Sequence, residues 1–175
     1  MKQLISAALS VILTLAALPS HANAPEPTFD QTRDWVVTTI AASAGYTHAA
    51  TAVTYKDVSM DGCQLRFTTL TSAPTGYTDT DTFTVSLDSV KSIIWGTATN
   101  PPRGYVIFTA ATPISLNRQR VWRVLDRQPQ TTTASTTIAY LEFGKPGADY
   151  ADLASHMKAA ILNAADLCKV QLAAK

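Results

Sequence analysis

The chain has 175 residues, with 14 basic and 13 acidic side chains. Removing residues 1–22, interpreted below as a signal peptide, takes away Lys2 and no acid, which leaves 13 of each and a formal net charge of zero. A neutral chain lacks the basic excess of a nucleic-acid-binding protein and does not favour broad electrostatic capture by anionic membranes. About 153 residues remain, enough for one domain with a hydrophobic core.

The N-terminal segment has the three parts of a secretory signal peptide. Lys2 supplies the positive start, residues 4–18 form an apolar run, and small residues follow, so that we expect cleavage after Ala22 or after Ala24. The apolar run is shorter than the roughly 20 residues that span a bilayer, which disfavours the alternative of an uncleaved membrane anchor. The short run and the single lysine are typical of bacteria. The sequence therefore predicts a periplasmic or secreted protein without a transmembrane anchor.

A short proline-containing lead and a helix come next. Residues 23–27 are predicted to be extended. A helix is predicted from Thr28 to about Ala44, because Thr28 and Gln31 match a capping box and apolar side chains recur at helical spacing. Gly45 is a natural C-terminal stop for this helix.

From residue 51 to residue 143 the pattern changes to strands. Strands over 51–59 and 63–70 flank Asp61-Gly62, a pair that favours a tight hairpin turn. Further strands are predicted over residues 82–88, 90–95, 105–110 and 136–143. Residues 71–82 are predicted to form a polar loop that contains Pro74 and Gly76.

The structure of residues 111–135 is left open by the sequence. Within it, residues 114–126 fit two secondary structures. A strand places Arg118 and Arg120 on one face, whereas a helix lines up Arg120 with Arg123 and Arg127.

The C-terminal segment has the clearest pattern. Apolar residues recur there at intervals of three and four over about 24 residues, which predicts one amphipathic helix. The stripe consists of Tyr150, Leu153, Ala154, Met157, Ile161, Ala164, Cys168 and Leu172.

Cys63 and Cys168 are the only cysteines. In an oxidising compartment two cysteines usually pair, and here the bond would fasten the C-terminal helix to the strands. Two free thiols are the alternative. A catalytic thiol is disfavoured, because the chain has no Cys-x-x-Cys motif and no local pattern that would lower a thiol pKa.

These elements predict a single α+β domain over residues 28–175. Its strands would form an antiparallel barrel or two orthogonal sheets, with an N-terminal helix and a long C-terminal capping helix. The strand segment at residues 82–90 and the closing helix at residues 152–168 resemble secreted bacterial proteins with a pleckstrin-homology-like barrel. The resemblance implies a binding or scaffolding role and supplies no catalytic residues. A cystatin-like fold is the alternative, which accounts better for the N-terminal helix and worse for the C-terminal one.

Arginines form the most suggestive cluster of the sequence. Arg118, Arg120, Arg123 and Arg127 surround Trp122, and arginine forks bind carboxylates and phosphates in bidentate fashion. We expect an edge that binds an anion or a partner, with lipid phosphate, cell-wall carboxylate and an acidic protein as candidate ligands. The alternative is a solvated strand or loop with Asp126 as the local counter-charge.

The remaining polar residues give weaker signals. Asp79 and Asp81 are too few for a calcium site, and a polar loop is the preferred interpretation. His48 and His156 lie in no zinc pattern, and no Gly-x-Ser-x-Gly motif is present. We therefore expect no metal and no cofactor, and we predict a non-enzymatic binding or scaffolding protein. A small hydrolase that uses His48 or His156 with a nearby Asp and Ser is the alternative.

Overall fold

The computed structural model describes residues 27–72, 74, 76–122, 128–147 and 149–174. The predicted signal peptide and both candidate cleavage sites lie outside the described residues. The described elements are helix α1 (Phe29–Ser43), strands β1 (Gly45–His48), β2 (Thr51–Asp61), β3 (Gln64–Ser72), β4 (Tyr77–Ser86), β5 (Val90–Thr99), β6 (Pro102–Trp122) and β7 (Gln130–Gly144), and helix α2 (Tyr150–Ala173). A short 3-10 turn, Leu87–Ser89, connects β4 to β5.

Helix α1 begins and ends where the sequence predicts. The Thr28 hydroxyl accepts a hydrogen bond from the Gln31 backbone N–H, and the Gln31 side chain accepts one from the Thr28 N–H, which completes the capping box. The helix ends before Gly45, which has a φ of +113°. A Cβ at Gly45 would lie 2.6 Å from the carbonyl oxygen of Val53, so glycine lets β1 start directly beside β2.

Six of the strands close into a barrel. The sheet order is β4-β3-β2-β1-β7-β6-β5, and β4 also pairs with β6, so that β5 alone stays outside the closed ring. The neighbouring strands are antiparallel except for β1 and β7, which run parallel over a two-residue contact at Gly45 and Tyr46. An α+β fold with an N-terminal helix, a barrel and a C-terminal helix is the architecture that the sequence predicts.

Strand β6 is the element that makes closure possible. Its first half pairs with β5, and its second half pairs with β4 over residues 115–122. The register against β7 shifts between Thr109 and Ile114, which marks an irregularity between the two halves. One long strand therefore contributes to both parts of the barrel.

The structure decides between the two interpretations of residues 114–122 and corrects the predicted loop at residues 71–82 and the predicted start of the last strand. Residues 114–122 are strand, so the strand interpretation of this segment is confirmed and Arg118 and Arg120 share one face. The polar loop predicted over residues 71–82 is wrong, because β3 extends to Ser72 and β4 starts at Tyr77. The strand predicted from residue 136 begins earlier, at Gln130.

Helix α2 covers the barrel and carries the disulfide. Its buried face matches the predicted stripe, except that Leu172 is 49% exposed. Gly104 of β6 lets the first turn approach closely, since a Cβ there would overlap the carbonyl oxygen of Tyr150. The predicted pair Cys63–Cys168 is bonded, with a Cα–Cα distance of 5.7 Å. Cys63 lies in the β2–β3 turn, so the bond fastens that turn to α2.

Candidate functional site

Two arginine–aspartate pairs bridge β4 and β6. Asp79 lies directly opposite Arg120, and Asp81 directly opposite Arg118. Arg118 donates from Nε and Nη2 to the two carboxylate oxygens of Asp81, at 2.8 and 2.7 Å. Arg120 donates to Asp79 in the same way, at 2.6 and 2.7 Å. Each pair therefore has the parallel two-bond geometry that gives arginine its specificity for carboxylates.

The carboxylates are buried and the guanidinium groups reach the surface. The side chains of Asp79 and Asp81 are 11% and 8% exposed, against 28% for Arg120 and 43% for Arg118. The hydrogen bonds from Arg120 lower the pKa of Asp79 below its ordinary value, against the opposing effect of burial. The hydrogen bonds with Asp81 raise the pKa of Arg118.

Aromatic side chains contact the guanidinium group of Arg120. The Arg120 guanidinium lies 4.0 Å from the ring centroid of Tyr77 and 5.6 Å from that of Trp122, within cation–π range. Tyr77 and Trp122 meet edge to face, with centroids 5.4 Å apart. Beyond Asp81, Phe83 contacts Tyr140, whose pKa is raised mainly by burial. The rings of Tyr77 and Trp122, together with the hydrogen bonds to Asp79, hold the Arg120 guanidinium in place without a ligand.

The arginines line a cleft of about 250 Å³. Alternate residues of β6 and β7 form its walls, namely Leu116, Arg118, Arg120, Gln130, Thr132 and Ala134. Within the described part of the chain, the hydrogen bonds of both arginines use Nε and Nη2 and leave each Nη1 for a further acceptor. The Gln130 amide and the Thr132 hydroxyl add donors and acceptors to the same cleft.

The cluster predicted from the sequence is thus brought together in part. Arg118, Arg120 and Trp122 lie on one face of β6, whereas Arg123 and Arg127 lie outside the described residues. Asp126 is the local counter-charge expected from the sequence, whereas the described partners of Arg118 and Arg120 are Asp81 and Asp79, which the sequence did not predict. Their alternation was the available signal, because acids two residues apart on one strand match arginines two residues apart on the next.

A second, larger groove lies between the helices. It has a volume of about 640 Å³ and is lined by Pro27, Gln31, Thr32, Trp35, His156, Ala159, Ala160 and Asn163. His156 is exposed there and pairs with Asp152 at 3.2 Å. Of the described residues that line the groove, none is a serine or a cysteine. His48, the other candidate of the hydrolase alternative, is exposed at the end of β1, and that alternative stays a prediction.

Neither a metal cluster nor a membrane-spanning helix is found among the described residues. They contain no group of three or more His, Cys, Asp or Glu side chains that could hold a metal ion. The two aspartates considered for calcium bond to arginines. No described helix is both long enough and apolar enough to cross a membrane.

Comparison of the chain with protein-family models, with curated proteins and with solved structures found no match.

Proposed function

We propose that this is a non-enzymatic binding protein of the bacterial periplasm or exterior, and that its ligand presents carboxylate or phosphate oxygens to Arg118 and Arg120. The observation that carries the proposal is that both guanidinium groups line one cleft and that neither Nη1 donates a hydrogen bond to another described residue. Guanidinium forks match the planar geometry of carboxylates and phosphates, which is the chemistry the site offers.

Pre-organisation favours binding at this site. Arginine carries about 2 kcal/mol of rotamer entropy when its side chain is free. Here the bonds to Asp81 and Asp79, and the stacking on Tyr77, have already fixed both side chains. A ligand that meets fixed donors loses less free energy to ordering than one that must order them itself.

The charge balance limits what kind of ligand fits. Two arginines and two aspartates make the described cluster neutral, so hydrogen-bond geometry contributes more to binding than a surplus of positive charge. The sequence adds Arg123 and Arg127 against Asp126 a few residues further on. We therefore expect a carboxylate or phosphate whose oxygens match the positions of these fixed donors.

The proposed periplasmic or secreted location is supported by observations other than the cleft. The Cys63–Cys168 bond fits an oxidising environment. The signal peptide remains a prediction from the first 22 residues, and the pleckstrin-homology-like resemblance remains one from the order of elements. Both agree with a periplasmic or secreted binding role.

A steric block of the cleft tests the proposal without breaking an ion pair. Ala134 lines the cleft, and Ser135 is its neighbour on the opposite face of β7. Ala134→Phe should fill the cleft, and Ser135→Phe is the matched control on the same exposed strand. Inorganic phosphate and acetate, titrated separately by calorimetry at constant ionic strength, distinguish the two ligand chemistries.

We expect one of the two probes to bind wild type with a dissociation constant on the order of 1 mM. Ala134→Phe should weaken that binding about tenfold or more, and Ser135→Phe should leave it unchanged, because only the first side chain occupies the space between the arginines and β7. If neither probe binds, or if both variants bind as wild type does, the cleft is not the ligand site.

A further inference from the structure

Strand β7 has an open edge. On one side it pairs with β6 along its length. On the other side β1 pairs only with Phe143 and Gly144. The Tyr55 hydroxyl also forms hydrogen bonds there with the backbone of Tyr140 and Glu142. In the described structure, residues 130–138 therefore have no strand on their second side, and nearly all of them are exposed.

This edge lacks the features that usually protect an edge strand. Natural edges are blunted by charges, proline or a covering element. Residues 130–141 contain no charged residue and no proline, and five of them are threonines, which favour strands. In the described structure two other stretches lack a strand on their second side: β5, which carries Lys91 and is packed by α2, and residues 55–61 of β2, which carry one lysine and two aspartates. Among these open edges, residues 130–138 therefore form the one that carries no charge.

The sequence of the edge is suited to pairing with a second copy of the chain. Because residues 130–138 carry no charge, two copies can lie side by side without opposing like charges. Threonine pairs across two strands are themselves favourable. Ile138 and Tyr140, on the same strand, are 48% and 42% exposed. A second copy beside β7 would bury part of this exposed apolar surface.

We propose that the partner of the β7 edge is a second copy of this chain, paired antiparallel about a two-fold axis through residues 130–138. A two-fold contact of identical strands is self-complementary and closes at the dimer, which prevents continued edge-to-edge growth. Main-chain hydrogen bonds between the two strands would satisfy the free donors and acceptors of both edges.

The pairing has a consequence for the cleft. With the two-fold axis perpendicular to the sheet, even-numbered residues of one copy lie opposite even-numbered residues of the other. Gln130, Thr132 and Ala134 line the cleft, so the same three residues of the second copy would lie beside them on one face. The two arginine clefts would then be neighbours on a continuous sheet. The dimer itself does not depend on ligand binding, so the two proposals fail separately.

Sedimentation velocity on the mature chain, over a range of concentrations, tests the dimer. Thr133→Lys places like charges close together across the proposed contact and points away from the cleft, because odd-numbered residues lie on the other face. Thr97→Lys makes the same change at an exposed threonine on β5. Circular dichroism of both variants checks that they fold.

We expect a wild-type dimer, a dissociation constant raised about tenfold or more by Thr133→Lys, and no change with Thr97→Lys. Backbone amides of residues 130–138 should exchange faster on dilution of wild type, and in Thr133→Lys the same change should occur at concentrations about tenfold higher or more. A monomeric wild type would overturn the proposal. A dimer insensitive to Thr133→Lys, or equally sensitive to Thr97→Lys, would also overturn it.

Discussion

Arg118 and Asp81 lie opposite one another on β6 and β4 and are joined by two hydrogen bonds of 2.8 and 2.7 Å. The strand pairing that they bridge is the one that closes the barrel. The same guanidinium also lines the cleft beside β7. One residue pair thus links barrel closure to the candidate binding site.

Replacing one member of this ion pair should lower the free energy of unfolding more than the loss of the pair as such would suggest, because the other charge stays buried without a partner. Arg118→Gln leaves the buried Asp81 carboxylate without its partner, and we expect it to lower the free energy of unfolding by about 1–3 kcal/mol. The double variant Arg118→Gln with Asp81→Asn should be less destabilised than the sum of the single variants, because it leaves no unpaired charge. Urea denaturation of the four proteins measures the coupling, and additive effects would show that the pair is not an energetic unit.

Asp79 should make stability depend on acid pH. Its pKa is lowered in the folded state by the hydrogen bonds from Arg120. Its contribution is therefore fully present above the ordinary aspartate pKa of about 3.9 and is lost as the pH falls through the lowered folded-state value. We expect Asp79→Asn to reduce the loss of unfolding free energy between about pH 5 and pH 2, measured by denaturation at each pH.

An exposed carboxylate provides the control for this measurement. Asp166 pairs with Lys169 on the surface of α2, and its side chain is 72% exposed. Such pairs contribute little to stability, so Asp166→Asn should leave the acid dependence as in wild type. Equal pH profiles for Asp79→Asn and wild type would contradict the role assigned to Asp79.

The Tyr55 hydroxyl should stabilise the gap between β2 and β7. It donates to the carbonyl oxygen of Tyr140 at 3.4 Å and accepts from the Glu142 N–H at 3.2 Å, and burial raises its pKa well above the ordinary value. Tyr55→Phe leaves a backbone donor without a partner, and we expect it to lower the free energy of unfolding by about 1–3 kcal/mol. Tyr105→Phe is the matched control, and denaturant titration that finds equal stabilities for the two variants would refute this prediction.

The disulfide should be a major source of stability. Cys63 and Cys168 are 105 residues apart, and for a loop of that size the chain-entropy model gives at most about 4–5 kcal/mol. The double variant with alanine at both positions should therefore unfold at lower denaturant concentration, and wild type with a reductant should behave like that variant. Thiol titration of unfolded wild type should find no free thiol without reductant, and two free thiols would contradict the bond.

The helices and the disulfide were predictable because their signals are local or unique. The capping box at Thr28 and the apolar stripe ending at Cys168 each lie within one element. The two cysteines offered a single pairing. These predictions needed no knowledge of which strands are neighbours.

Only the arginines of the candidate site were predictable from the sequence. Arg118 and Arg120 were recognised as a cluster, but Asp79 and Asp81 appeared to belong to a polar loop, because acids are rare on the inward face of a strand. The pairing of β4 with β6 explains why these aspartates are buried, because it places each of them opposite an arginine. The paired residues are about 40 positions apart in the sequence. Strand order in a barrel depends on such distant pairing, and a single sequence does not specify it.

The most direct test of the binding proposal is nitrogen-15 NMR of the arginine side chains during titration with inorganic phosphate or acetate at constant ionic strength. We predict that one of these probes shifts the guanidinium signals of Arg118 and Arg120 in a saturable way, while Arg66, exposed on β3, does not respond. Signals of Arg118 and Arg120 that move no more than that of Arg66 with either probe would contradict the assignment of the cleft as a binding site.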